Sequence, residues 1–419
     1  MASFRFLHAA DIHLDSPLHG LARYDGIPAE DVRRATRAAF DNLIHFACNE
    51  AVDFVLIAGD MFDGDWKDMS TGLYFARAMG RLAAADIPVF LLAGNHDAAS
   101  VLTRQLPWPD NVRQFGSRRP ETHVIERLNV AIHGQSFAHA AVTDNLAAAY
   151  PRAEAHCFNI GMLHTALAGH EGHAPYAPCE VGDLLAKGYD YWALGHVHDH
   201  QVVHASPHIV YPGNLQGRHI RETGAKGAVL AEVADGMVTR LRHVPLDVLR
   251  WTRVAVNCAS LDTQSALDNA ISGTLTKQYS EISDGRPVVA RVVIEGTTTM
   301  TGALHDRSAA LRDEVRALAA AIAPDLWIEK VQLDMTAPVV AAVPAASDDF
   351  LALLEEAADA QDLAGILAEE LAPFLLAAAK AGEIADDDLA ALARRGDWPA
   401  LVGRAGAALG ARLSGAEAR

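Results

Sequence analysis

The sequence predicts an α/β fold: a largely parallel sheet with helices on its faces, then a smaller α/β block and a helical tail. Three observations predict it. In the first half of the chain, short apolar runs alternate with stretches of helical periodicity, the order that builds parallel sheets. The alternation restarts after Leu246, and from Asp348 to Arg419 the chain turns Ala/Leu-rich and helical.

The elements follow in order. FRFLHAAD (4–11) and DFVLIAGD (53–60) are apolar strands, separated by a helical stretch from Ala29 to Glu50. Ser70 to Ala85 is the next helix, and IPVFLLAGNHD (87–97) is a strand running into a polar turn. HVIERLNVAIHG (123–134) reads as a hairpin, CFNIGMLH (157–164) and YDYWALGHVH (189–198) as strands. The segment 228–244 is a second hairpin, because Asp235-Gly236 is a two-residue turn signal. Beyond it come strand 252–258, helix 261–278, strand 287–295, helix 303–323 and strand 326–334, then a linker, TAPVVAAVPAAS (336–347). The domains expected are therefore 1–246, 247–336 and 337–419.

Composition narrows the class. At 419 residues, half of them hydrophobic, the chain suits two or three domains with ample core. No run approaches the roughly 18 apolar residues of a membrane span. An aspartate and a histidine fall too early for a signal peptide. Four scattered cysteines without a CxxC pair point to reduced thiols and a cytoplasmic location. A net charge of −18 argues against unaided nucleic-acid binding, since that affinity comes largely from Lys and Arg.

The chemistry collects at strand ends. Asp11 and His13 end the first strand, Asp60 the second, Asn95 and His96 the third, His164 the CFNIGMLH strand, and His196 and His198 the YWALG strand. The carboxyl ends of strands in an α/β sheet face one crevice, so Asp11, His13, Asp60, Asn95, His164, His196 and His198 are expected to meet there. These donors include no sulfur and are too many for one tetrahedral zinc. Carboxylate, amide and imidazole together suit octahedral divalent ions such as manganese or iron. Two ions sharing one carboxylate accommodate the set, and such centres typically hydrolyse bonds at phosphorus. In ALGHVHDH (193–200), strand alternation would put His196, His198 and His200 on one face.

These residues carry a resemblance. DIH (11–13), GDMFD (59–63), GNHD (94–97), LHT (163–165) and GHVH (195–198) resemble the five signatures of the calcineurin-like metallophosphoesterases. GDMFD is similar to the DNA-repair nuclease branch that includes SbcD. ADIHLDSPL (10–18) and YPGNLQGRHIRETGAKG (211–227) resemble the YhaO-like DNA repair exonucleases. The resemblance implies an αββα sandwich with a small α/β capping domain. It implies one cation on Asp11, His13, Asp60 and His198, and a second on Asp60, Asn95, His164 and His196, with manganese the first choice and iron or magnesium the others. His96 then acts on the phosphate and the leaving oxygen. Asp97 and Asp63 read equally as supports of this site or as ordinary turn and cap residues. His200 has no ligand counterpart. One departure is that Asp15-Ser16-Pro17 stands where the nucleases often have glycine soon after the first motif.

The activity implied is Mn-dependent exonucleolytic or endonucleolytic cleavage of DNA in repair. Arg218, His219 and Arg221, with Arg113, Arg118 and Arg119, are candidates for a basic rim along DNA, or for ordinary surface ion pairs. The partner implied is an SMC-like coiled-coil ATPase of the YhaN or SbcC kind. Phe350, Leu351, Leu354, Leu363, Ile366, Leu367, Leu371 and Leu375 stripe one helical face, which serves docking of that partner or a self-contained bundle. A homodimer is also implied, and no membrane. The competing reading is a metallophosphoesterase for a small phosphodiester, a cyclic nucleotide or a phosphoprotein.

Overall fold

The computed structural model describes residues 3–16, 18, 29–63, 69–99, 108–167, 176–336, 363–381, 392–393, 395–398 and 400–402. The chain divides into two compact units, residues 1–252 with 280–290, and residues 253–279 with 291–419.

The first unit contains two six-stranded sheets rather than one. In the first, β1 (Phe4–Ala9), β2 (Phe54–Ala58), β3 (Val89–Leu92) and β4 (Val112–Gln114) run parallel. The antiparallel hairpin of β11 (Gly227–Ala234) and β12 (Met237–Pro245) pairs beside β1. In the second, β6 (Val130–Gly134), β7 (Phe158–His164), β8 (Tyr191–Gly195) and β10 (His208–Tyr211) run parallel. Its edges are the antiparallel strands β5 (Glu121–Ile125) and β9 (Gln201–Ala205). Short strands β4, β9 and β10 escape the sequence reading because each is too brief to show a period.

Why the sheets stack follows from the strands themselves. FVLIA of β2, FNIGMLH of β7 and YWALG of β8 are buried along their whole length, as strands covered on both faces must be. Phe4, Phe6, Phe54, Leu56, Phe90 and Leu92 of the first sheet meet Val130, Ile132, Phe158, Ile160, Met162 and Tyr191 of the second. Phe6 and Phe54 stack with centroids 5.1 Å apart, and Tyr191 meets Phe6 edge-on at 5.1 Å. The other face of the first sheet is covered by α1 (Ala29–Asn49) and α2 (Met69–Ala84), through Phe40, Leu43, Phe75 and Met79. The outer face of the second, with Leu163, Trp192, Leu194 and Tyr211, is covered by Tyr150, Leu184 and their neighbours, Leu184 belonging to the short helix α4 (Val181–Leu185). The result is an αββα sandwich whose fourth layer is thin.

The second unit has a three-stranded sheet in the order β13 (Arg250–Asn257), β14 (Val288–Thr297), β15 (Leu326–Thr336). Its helices are α5 (Gln264–Ile282), α6 (Thr301–Asp306) and α7 (Ser308–Ile322), so the helix expected over 303–323 is broken at Arg307. Buried Arg291 and Glu329 form a two-pronged ion pair there. In the tail, α8 (Leu363–Ala381) carries Pro373 internally and exposes Ile366 and Phe374. Phe350, Leu351 and Leu354 lie outside the described residues. No described helix is long and apolar enough to cross a membrane.

The strands end earlier than their apolar runs suggest, and the chemistry-bearing residues sit just beyond them. Asp11, His13, Asp60 and His196 all have positive φ (50°, 45°, 52° and 101°), a conformation uncommon for side-chain-bearing residues and frequent at functional sites. GNHD opens a short helix, α3 (Asn95–Ala99), where the sequence suggests a polar turn. Phe54→Ala, which empties the inter-sheet core, is expected to cost about 3–5 kcal/mol in a denaturant melt.

Candidate metal centre

Beyond their strands, the ends of β1 and β2 continue as paired loops. The amides of Asp11, His13 and Leu14 donate to the carbonyls of Gly59, Asp60 and Met61. This rung-by-rung pairing sets Asp11 and His13 against Asp60. From the second sheet, β7 ends on His164 with Gly195 of β8 as its register partner. Hydrogen bonds cross between the sheets here. His164 Nδ1 donates to Ala58 O at 2.9 Å, and the His196 amide donates to the Asp11 carboxylate at 2.9 Å.

Among the described residues three groups of donor atoms result, each mutually within 4.8 Å: Asp11, His13 and His198; His13, Asp60 and His96; Asp11, Asp60 and His164. Asn95 joins through Oδ1, 3.0 Å from His164 Nε2, which is 3.5 Å from Asp60 Oδ2. His13 Nε2 lies 3.3 Å from His198 Nε2. His196 stands differently. Its positive φ ends strand alternation, so its ring packs edge-on against His164 and Tyr176 at 5.2 and 5.5 Å. His200 points elsewhere again, bonded to Tyr211 O and stacked on His243 at 4.6 Å. The three histidines therefore do not share a face.

The space is built to admit little else. A Cβ at Gly94 would lie 2.3 Å from Asp60 Oδ1 and 2.9 Å from His164 Cε1. One at Gly59, whose φ is +95°, would lie 2.4 Å from His164 Nδ1. Glycine is required at both because the backbones must approach the imidazole and the carboxylate closely.

Lone pairs converge without protons between them. A carbonyl only accepts, so Ala58 fixes the His164 proton on Nδ1 and leaves Nε2 facing two oxygens. The His164 pKa is raised to about 9, burial lowering it and the Asp60 carboxylate outweighing burial. Burial pushes Asp60 up too, but His164, His13 and His96 hold it well below the usual carboxylate range. Burial pushes Asp11 up, with His198 and His164 opposing and the Asp60 charge adding to the rise. His13 is lowered to about 3, by burial and then by Arg218. Buried carboxylates, an amide oxygen and neutral imidazole nitrogens at one point fit a hard divalent cation.

Around them lie residues the sequence reading left open or missed. Asp63 Oδ1 is 3.3 Å from His96 Nδ1 and 3.6 Å from His13 Nδ1, and Asp63 accepts from Ser16 Oγ at 2.9 Å. Among the described residues Asp97 makes no hydrogen bond to His96. It accepts the amides of Met61, Phe62 and Gly94, so it ties the β2 and β3 loops together. Burial and then the Asp60 charge raise Asp97 to about 7. Glu222 is the residue missed. It pairs with His198 Nδ1 at 2.7 Å and orients that ring as a carboxylate behind a ligating histidine does. Burial pushes it up, but His198, Arg218 and His219 hold it well below its ordinary value. Its signal was present in HIRETG, as an acid among bases.

Of the basic rim, Arg218 is engaged inward, 3.1 Å from Glu222 and 3.6 Å from Asp63. His219 lies 3.5 Å from Glu222, and Arg221 is exposed. Manganese at roughly 100 times its Kd is expected to stabilise the fold by about 2.7 kcal/mol. A thermal melt reads this as a rise in Tm, and Asp60→Asn should lose most of it.

The sequence is similar to those of known metallophosphoesterases. Residues 4–200 match the calcineurin-like phosphoesterase family, and residues 251–336 match the middle domain of metallophosphoesterase YhaO. The chain is 38% identical over 301 residues to the metallophosphoesterase YhaO of Bacillus subtilis, covering 71% of this chain and 73% of that one. It is 23% identical over 312 residues to the DNA double-strand break repair protein Mre11 of Sulfurisphaera tokodaii, covering 71% and 74%. To the protein of that name from Thermoplasma acidophilum it is 25% identical over 329 residues, covering 72% and 80%.

Proposed function

Since the chain belongs to the calcineurin-like metallophosphoesterases, we propose that it is a two-metal phosphodiesterase that cleaves DNA in repair. In this reading it is the nuclease subunit of a cytoplasmic complex with an SMC-like coiled-coil ATPase. One observation carries the proposal: a buried cluster of oxygen and nitrogen donors with a single, more exposed histidine, His96, at its edge. Its side chain is 37% exposed, against 1% for His13 and 0% for His164. That exposure, above the 20% of His198 as well, supports His96 as the group that meets substrate. The repair proteins among the relatives support a nucleic-acid substrate. An ATPase partner answers the charge of −18 by supplying cationic surface. Exposed Ile366 and Phe374 on α8 support docking through the C-terminal helices.

Asp11, His13, Asp60 and His198 would hold one cation, and Asp60, Asn95, His164 and His196 the other. Held there, two dications would neutralise the phosphate oxygens and stabilise charge on the attacking and leaving oxygens. The chain supplies the proton. His96 Nδ1 lies 3.3 Å from Asp63 Oδ1, and Ser16 and Arg218 hold that carboxylate in place. Nε2 would pass a proton to the ester oxygen as its bond to phosphorus breaks and the oxygen of water bonds in its place, the proton released by that water restoring the one His96 gives up. Glu222 holds His198 in the tautomer with Nε2 free.

The test is hydrolysis of labelled single-stranded and duplex DNA with Mn²⁺, beside a chromogenic phosphodiester. DNA is expected to be cut. His96→Ala should lower kcat by roughly 10²–10⁴ while retaining manganese, measured by elemental analysis. Turnover of the small ester with DNA uncut, even with the ATPase added, would replace this reading with a small phosphodiester, cyclic nucleotide or phosphoprotein substrate.

A further inference from the structure

Glu222 is one of several groups by which the segment 211–227 holds His198. The His198 carbonyl accepts from the Lys226 ammonium at 2.8 Å and from the Asn214 amide at 3.2 Å. The same ammonium reaches the Asp199 carboxylate at 2.8 Å. At the ring, Glu222 Oε1 lies 2.7 Å from His198 Nδ1, while Glu222 Oε2 accepts from Asn214 Nδ2 at 2.9 Å and from the Arg218 amide at 2.7 Å. Asn214 thus serves both ends of His198, its main chain holding the carbonyl and its side chain the carboxylate behind the imidazole. Gly213 permits this approach: its φ is +81°, and a Cβ there would lie 2.9 Å from His198 O.

This cradle is buried and anchored from behind. Asn214, Gln216, Glu222 and Lys226 are all buried. Gln216 donates to Leu249 O at 2.8 Å and accepts from the Val248 amide at 2.9 Å, and Trp251 Nε1 donates to Gly217 O at 2.9 Å. The Lys226 carbonyl accepts from the amides of Leu246 and Asp247 at 2.9 and 3.1 Å. Burying an ammonium is costly unless it is paired, and the acceptors that meet Lys226 lie on residues 198 and 199. The lysine and the His198 loop therefore fix one another. His164, in the other set of ligands, is oriented instead by the Ala58 carbonyl.

We propose, resting on the two-cation reading, that Asn214 and Lys226 are positioning residues for the cation site of Asp11, His13, Asp60 and His198, and not for the other. The test is calorimetric titration of the full chain with Mn²⁺. The wild type is expected to bind two equivalents. Lys226→Met and Asn214→Leu, each checked for folding by a melt without metal, should weaken one equivalent by roughly 10–100-fold and leave the second as it was. Losing the lysine's charge would by itself favour a nearby cation, so weaker binding in Lys226→Met reads lost positioning. If one variant does not fold, the other carries the test. Undiminished affinity for both equivalents in a folded variant, or equal weakening of the two, overturns the assignment. A wild type that binds no manganese would remove the two-cation reading, and metal-free crystal structures of the variants then decide the cradle. A His198 ring that leaves its 3.3 Å contact with His13 upholds it, and an unmoved ring overturns it.

Discussion

The hydrogen bond from His164 Nδ1 to the carbonyl of Ala58 is the constraint on which the site depends. It joins the end of β7 to the end of β2, and so fixes one sheet of the sandwich against the other where their chemistry lies. Because the carbonyl takes the proton-bearing nitrogen, the other nitrogen is left turned toward Asp60 and Asn95. A one-residue shift of either strand would aim the imidazole at the opposite face. Gly59 and Gly94 are consequences of the same contact, since no side chain fits between ring and carboxylate.

The electrostatics follow from that geometry. Two carboxylates buried a few ångströms from several imidazoles are stable only when positive charge is present, whether from protons or from cations. Divalent ions held by the cluster would supply that charge and displace the protons drawn to His164. The outer carboxylates have separate tasks. Glu222 orients His198, Asp63 stands between His13 and His96, and Asp97 gathers three amides that would otherwise be unpaired in a buried turn. Arg218 spans Glu222 and Asp63, so a residue suited by its charge to DNA is used to support the centre.

Much of this was legible in the sequence, for a physical reason. Strands covered on both faces are written as unbroken apolar runs, and a polar residue directly after one is exposed by the fold to the crevice. Asp11, His13, Asp60, Asn95, His164 and His198 were visible in this way. What escaped was what depends on three dimensions. The pairing of sheets across Phe6, Phe54 and Tyr191 leaves no local period. The break at Arg307 interrupts a pattern that otherwise continues smoothly. The separate directions of His196, His198 and His200 come from one positive φ, which spacing does not encode. The roles of Asp63 and Asp97 were open because neighbouring numbers do not say which carboxylate reaches the ring.

On the proposed reading Asp60 would serve two cations at once. Anomalous diffraction from crystals grown with manganese measures this directly. Two maxima are expected, one on each side of the Asp60 carboxylate, one with Asp11, His13 and His198 and one with Asn95, His164 and His196. A single maximum away from Asp60, or none at saturating manganese, would contradict the account.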